Sequence, residues 1–253
     1  MKDYKKILFV VAHPDDAEIC AGGTILKLCS KGYNVKVVMM TNGNLGINNK
    51  SKYITKKIRL KEEKLAAKYA GFSYKILNNS DGMLKANISN RKKIINIIKE
   101  FQPDIIVTHR KNDYHVDHRV TSQIVEDSLV LICSKNICKK HNYLSYNPII
   151  LYFWDRFTKP YKFICDIVVD ITAFYEKKLN LMYYHKSQLI SMEACQKILV
   201  ENNELQKKYC TNNDFNYVEL FEIGEYSLIN EIDNFKKNIE SVFGDWYKSI
   251  ISF

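Results

Sequence analysis

A short apolar run, Ile7-Leu8-Phe9-Val10-Val11, gives way abruptly to Ala12-His13-Pro14-Asp15-Asp16-Ala17-Glu18. The apolar residues read as a buried strand. The residues after it set an imidazole and two adjacent carboxylates at that strand's carboxyl end. Ligands bind at this end in open α/β sheets. Buried carboxylates are costly unless they are paired or bound to a metal. The run therefore constrains both the fold and the chemistry.

Strand and helix patterns alternate over the first 135 residues. Lys6 to Ala12 reads as a strand, Ala17 to Lys31 as a helix ended by Gly32, and Asn34 to Thr41 as the second strand. A Gly/Asn-rich loop covers Asn42 to Asn49. Helix Ile54 to Tyr69, strand Tyr74 to Leu77, helix Ser89 to Phe101, strand Asp104 to Thr108 and a helix from about His118 to Leu131 follow. This spacing predicts βαβ units. Beyond them, Pro148 to Phe153 and Phe163 to Ile171 read as strands, and Phe174 to Leu199 as one long helix. Ser227 to Ile251 reads as an amphipathic helix. The expected fold class is α/β, a Rossmann-like, mostly parallel sheet flanked by helices. One domain is expected over residues 1–253, with a C-terminal helical extension at about 227–253.

Composition narrows the function. No apolar run approaches the roughly 20 residues that span a bilayer, so no stable membrane insertion is expected. The seven cysteines are scattered without a Cys-x-x-Cys pair, which fits reduced, mostly buried thiols and a cytoplasmic protein. The net charge of +10 comes almost wholly from lysine. No basic stripe with interleaved aromatics accompanies it, which argues against a nucleic-acid partner. No Gly-x-Gly-x-x-Gly follows the first strand, which excludes the dinucleotide fingerprint.

A second polar cluster, Thr108-His109-Arg110-Lys111-Asn112-Asp113-Tyr114-His115-Val116-Asp117-His118-Arg119, follows the strand Asp104 to Thr108. Two strand-end loops thus bring His13, Asp15, Asp16, His115 and His118 to one rim. That is what a mononuclear site with two histidines and one carboxylate requires. If Asp16 binds a metal with His13, Asp15 can face a water as general base. Other readings stay open. Asp15-Asp16 could cap the helix that starts at Ala17, and His115 and His118, three apart, could cap or pack. Asp113 and Asp117 could orient the imidazoles.

These motifs resemble the PIG-L or LmbE-like family of zinc-dependent N-acetylglucosaminyl de-N-acetylases. The resemblance rests on Ala-His-Pro-Asp-Asp-x-Glu and Asp-x-His-x-Asp-His-Arg. Weaker marks agree with it: Gly22-Gly23-Thr24, Thr41-x-Gly43-x-x-Gly46, Arg59-x-x-Glu62, Gly71, Asp81-Gly82-x-Leu84, Asp170-Ile171-Thr172, a Lys at 177 or 178, His185-x-Ser187-Gln188 and Tyr217-x-Glu219-x-Phe221. The resemblance implies that His13, Asp16 and His118 bind one Zn2+ per chain, although ferrous iron is chemically admissible. It implies Asp15 as general base, and His115 as the group that stabilises the oxyanion and protonates the departing amine. A cationic His115 would suit that oxyanion. Asp117 would orient an imidazole, and Arg59 and Asp81 would contact the sugar or its aglycone.

Asn44 stands where many relatives carry Glu, so the loop's specificity does not carry over. His109 and Arg110 belong to a basic segment that could face a substrate anion, or simply be solvated. His185 could line the pocket or pack. The expected function is hydrolysis of the acetamide of an N-acetylated amino sugar, a small and anionic molecule, releasing acetate and a free amine. A nucleotide-linked sugar and a GlcNAc-malate-like glycoside compete as substrates. The alternative is a non-catalytic sugar- or nucleotide-binding α/β protein with a vestigial metal site. A homo-oligomer is compatible with the sequence, which does not determine it.

Overall fold

The computed structural model describes residues 5–210 and 215–224, and the backbone of 247–249. In chain order the elements are β1 (Lys6–Val11), α1 (Asp16–Ser30), β2 (Asn34–Thr41), α2 (Lys52–Ala70), β3 (Ser73–Asn79), α3 (Ile88–Phe101), β4 (Ile105–Thr108), α4 (Val116–Ile132), β5 (Ile149–Phe153) and β6 (Ile167–Asp170). A 3-10 turn (Thr172–Phe174), α5 (Tyr175–Tyr183), α6 (Met192–Lys207), β7 (Val218–Ile223) and β8 (Tyr247–Ser249) complete them. The strands form one sheet in the order β3-β2-β1-β4-β5-β7-β6-β8. The first five pair in parallel; the last three join antiparallel.

Period-two alternation in β1 sorts two cores. Ile7, Phe9 and Val11 pack on one face with Ala17, Ile25 and Ala66 from α1 and α2. Leu8 and Val10 pack on the other with Ile94, Ile98, Ile124 and Leu129 from α3 and α4. Because β2 and β4 flank β1 on opposite sides, the chain reverses its winding at the β1–β4 border. That border is the switch point where α/β sheets open a crevice.

Helix boundaries follow local chemistry. Ser51, Asn87 and Ser191 accept backbone N–H bonds as side-chain caps of α2, α3 and α6. Gly71, at φ 85°, ends α2 in the left-handed region that glycine reaches without strain.

The second half departs from expectation in several places. The helix expected over Phe174 to Leu199 is two helices. The chain breaks after Tyr183, because Ser187 donates its N–H and hydroxyl to Glu62 and Ser191 then caps a new helix. The strand expected over Phe163 to Ile171 is confined to Ile167–Asp170; just before it, the carbonyls of Tyr161 and Lys162 accept from Arg110. β7 is an additional strand. Most of the expected helix at 227–251 lies outside the described residues, and Tyr247–Ser249 within it is strand β8. Six of the seven free cysteines are half-buried, and only Cys195 is fully buried.

β7 explains a break inside α1. Ala21 leaves helical geometry (φ −143°, ψ 21°) and frees the N–H groups that follow. Glu219 of β7, fully buried, accepts from Gly23 N, Thr24 N and the Thr24 hydroxyl at 2.9, 2.7 and 2.6 Å, and from Lys178 Nζ at 2.6 Å. A Cβ on Gly23 would lie 2.7 Å from Ile171, so the close approach of helix to sheet excludes a side chain there. No helix among the described residues is long and apolar enough to cross a membrane.

Removing one partner of a buried ion pair costs about 3–5 kcal/mol. Glu219→Ala is therefore expected to lose stability of that order in urea denaturation. A loss below about 1 kcal/mol, the scale of an exposed pair, would refute this role for the network.

Candidate active site

The turn after β1 is strained and clamped. Asp15 adopts φ 121°, ψ −25°, which costs a non-glycine residue on the order of 1–3 kcal/mol. The buried Arg59 of α2 holds it. Arg59 Nη1 lies 3.2 Å from Asp15 Oδ2, and Nη2 donates to the Pro14 carbonyl. Asp15 makes no capping bond to α1, so its side chain does not serve as the helix cap. Gly43, at φ 70°, covers Arg59; a Cβ there would fall 2.8 Å from Arg59 Nε.

Two ring nitrogens and the carboxylate of Asp16 converge beside this turn. His13 Nδ1 lies 3.3 Å from Asp16 Oδ2, His118 Nε2 lies 3.4 Å from Asp16 Oδ1, and the two ring nitrogens are 3.3 Å apart. A cation about 2.0–2.1 Å from each of three tetrahedral donors would hold them about 3.4 Å apart. The donor set of two imidazoles and a carboxylate fits a divalent metal. Each ring's other nitrogen meets a carboxylate. His13 Nε2 lies 3.1 Å from Asp117 Oδ2, and His118 Nδ1 lies 3.0 Å from Asp113 Oδ2. Such partners fix imidazole orientation in metal sites. Asp117 is itself held by the N–H groups of Gly82 and Leu84.

The charge balance favours a cation here. Burial disfavours a charged His13, yet Asp16, Asp117 and Asp15 together raise it to about 10. Burial is likewise outweighed at His118, which Asp16 and Asp113 raise to about 9. Asp16 is held well below the usual carboxylate range despite its burial, by the charges of His118 and His13.

His115 stands at the N-terminus of α4. Its Nδ1 accepts the Asp117 N–H at 3.1 Å, so that nitrogen carries a lone pair and the proton belongs on Nε2. Burial and the charges of His13 and His118 push its pKa below the ordinary value. Both observations favour the neutral ring with its donor on Nε2. His13, Asp15, Asp16, Arg59, Asp81, His115 and His118 line one cavity of about 440 Å³. Tyr114, Leu45, Gly46, Gly82 and Gln188 line it as well. Asp81 accepts from Gly43 N and Leu45 N, and Gln188 donates to the Gly46 carbonyl, so both shape the loop over the cavity.

Four expected substrate contacts lie outside this cavity's lining, and two of them, His109 and Arg110, line a neighbouring cavity that shares Asp16, Tyr114 and His118 with it. Arg110 pairs with Asp155 at 3.0 Å and Glu222 at 3.0 Å, and donates to the Tyr161 and Lys162 carbonyls; its fork is fully used. Its neighbour Lys111 pairs with Glu126. His109 is buried, its Nε2 accepts Ala12 N–H, and burial together with the charge of His118 lowers it to about 4. It abuts Asp16 from behind, in a second cavity beside His118. Asn44 accepts from Ser80 and Asp81 N and braces the loop. His185 is fully buried behind the site against Glu18 and Glu63, where burial and Glu18 push Glu63's carboxyl well above its ordinary value. Sequence reasoning did not assign Tyr114 or Gln188 to the site, although both stand inside motifs it singled out.

Residues 8–129 match the family described as PIG-L: GlcNAc-PI de-N-acetylase. The match covers just under half of the chain. The chain is 33% identical over 123 residues to the diacetylchitobiose deacetylase of Thermococcus kodakarensis, covering 46% of each protein. It is 27% identical over 141 residues to a probable N-acetyl-alpha-D-glucosaminyl L-malate deacetylase 2 of Bacillus anthracis, covering 52% of this chain and 62% of that protein. These alignments span less than two thirds of either relative. A 4-oxalmesaconate hydratase of Pseudomonas putida is 23% identical over 182 residues, 69% of this chain and 70% of that protein. The structure of N,N'-diacetylchitobiose deacetylase from Pyrococcus horikoshii superposes with a TM-score of 0.77 at 29% identity, covering 94% of this chain and 90% of that one.

Raised imidazole pKa values put protons in competition with a metal. Affinity for Zn2+ is expected to tighten as pH rises from 6 towards the values near 9 and 10 that His118 and His13 carry. Asp117→Asn is expected to weaken it about 10–100-fold. Chelator-competition titrations read both; an affinity flat with pH would contradict the assignment of donors.

Proposed function

We propose that this chain is a metal-dependent N-deacetylase that hydrolyses the acetamide of an N-acetylated amino sugar. One observation carries the reading: Asp15, strained and clamped by Arg59, shares one cavity with the three-donor cluster and with the protonated Nε2 of His115. His13, Asp16 and His118 would hold Zn2+, which supplies Lewis acidity and brings a water's pKa to about 7. Asp15 takes the proton of the attacking water. Its Oδ2 is engaged by Arg59, which keeps the carboxylate aimed. His115 donates from Nε2 to the carbonyl oxygen as charge builds there. With the Asp117 N–H on its Nδ1, His115 keeps its Nε2 proton for the carbonyl oxygen, and the departing amine takes its proton from Asp15, which has just received one.

Arg110 and Lys111 are neutralised by carboxylates, so they give no reason for an anionic substrate. Both named deacetylase relatives favour a GlcNAc-type sugar, one named for neutral diacetylchitobiose and one for a malate glycoside. The chain acts as one deacetylase domain, and its free thiols suit the cytoplasm. A binding-only protein would need neither a clamped Asp15 nor a donor at His115.

Acetate release is to be measured from N,N'-diacetylchitobiose, GlcNAc-malate and a nucleotide-linked GlcNAc. Asp15→Asn is expected to keep its metal and lose about 10²–10⁴-fold in kcat. Unchanged turnover would remove Asp15 from the mechanism. Hydration of an unsaturated dicarboxylate, with no acetate from any sugar, would favour the hydratase chemistry of the Pseudomonas relative.

A further inference from the structure

We propose a second metal site, distinct from the His13–Asp16–His118 cluster, formed by Glu18, Glu63 and His185. The three come from α1, α2 and the segment after α5, and each is wholly buried. Their donor atoms lie within 4.8 Å of one another. His185 Nε2 sits 3.6 Å from Glu18 Oε1 and 4.0 Å from Glu63 Oε2.

None of the six side-chain nitrogens and oxygens makes a hydrogen bond among the described residues. Buried polar atoms are ordinarily satisfied, and each exception calls for an explanation. Direct pairing does not supply one here, because 3.6 and 4.0 Å exceed hydrogen-bond length. Neither do the nearby cations. The two Nη groups of Arg59 are committed to Asp15 and the Pro14 carbonyl, its buried Nε hydrogen-bonds to none of these atoms, and Lys178 is committed to Glu219. Two carboxylates and an aimed imidazole nitrogen thus face a common point.

A cation about 2.1 Å from three donors spreads them about 3.4–3.6 Å apart. The Glu18–His185 separation meets that spacing, and the Glu63 contact reaches it by a side-chain shift of a few tenths of an ångström. One imidazole and two carboxylates suit a divalent first-row ion such as Zn2+ or Mn2+. The two negative charges would be balanced by the dication. Such an ion would tie α1, α2 and the segment after α5 behind the Asp15 turn, on the helices that carry Asp16 and Arg59. Its place is structural: Glu18, Glu63 and His185 do not line the catalytic cavity.

The test is metal content by mass spectrometry after expression with Zn2+, or separately Mn2+, and dialysis against chelating resin. The His13→Ala/His118→Ala variant disables the rim site and is expected to retain one ion per chain. The wild-type protein is expected to hold two, and Glu63→Gln and His185→Gln one each. X-ray absorption of the double variant should show a single imidazole among oxygen donors. A folded double variant without metal, or one whose ion is bound by sulfur or by more than one imidazole, would overturn the proposal. The double variant decides the question even if the buried substitutions fail to fold, and its result does not depend on the deacetylase reading.

Discussion

The grip of Arg59 on Pro14 and Asp15 is the contact on which the active site depends. Asp15 occupies a backbone region that favours glycine, and without a partner the turn would relax. The clamp comes from a helix that follows a different strand, so forming it requires the α1 and α2 layer to be in place. Gly43 lies against the same guanidinium, and Asp81 holds the Gly43 loop from the other side. A single buried side chain thereby links Asp15, the loop above the cavity and the helical layer behind it.

Around that clamp the histidines are oriented by carboxylates arranged outside them. Asp117 and Asp113 stand behind His13 and His118, and Asp16 lies between the two rings. This concentration of negative charge would be costly in the folded chain if it served packing alone. At the sheet's switch point, where β1 and β4 end side by side, it is explained by a cation. The deacetylase and hydratase relatives indicate that this frame supports more than one reaction. The chemistry must therefore be argued from Asp15 and His115, not from the fold.

Much of this was legible in the sequence. β1 and β4 are continuous apolar runs and β2 ends in one, and their ends coincide with the polar motifs, so the parallel half and its rim followed from pattern. The convergence of His13, His118, Asp16 and Asp15 on one rim was legible for the same reason. What escaped depends on contacts distant in sequence. The break between α5 and α6 comes from Glu62, about 125 residues before Ser187. The antiparallel β7 is anchored through Glu219 to the kink in α1 beside Gly22-Gly23; both stretches stood out as motifs, but nothing local in either shows that they meet. Arg110 looked like a free rim cation, and only the fold brings Asp155 and Glu222 to it. His185 looked like a pocket residue because it lies near Ser187 and Gln188, yet the turn after α5 directs it into the interior.

The most direct measurement is acetate release from an N-acetylglucosaminide by metal-stripped protein as Zn2+ is titrated back. The stripped protein should be inactive, and turnover should return as the His13–Asp16–His118 cluster fills. Full turnover in stripped protein, or none at any Zn2+ level from any sugar in the panel, would contradict the central claim that these donors and Asp15 form a hydrolytic metal centre.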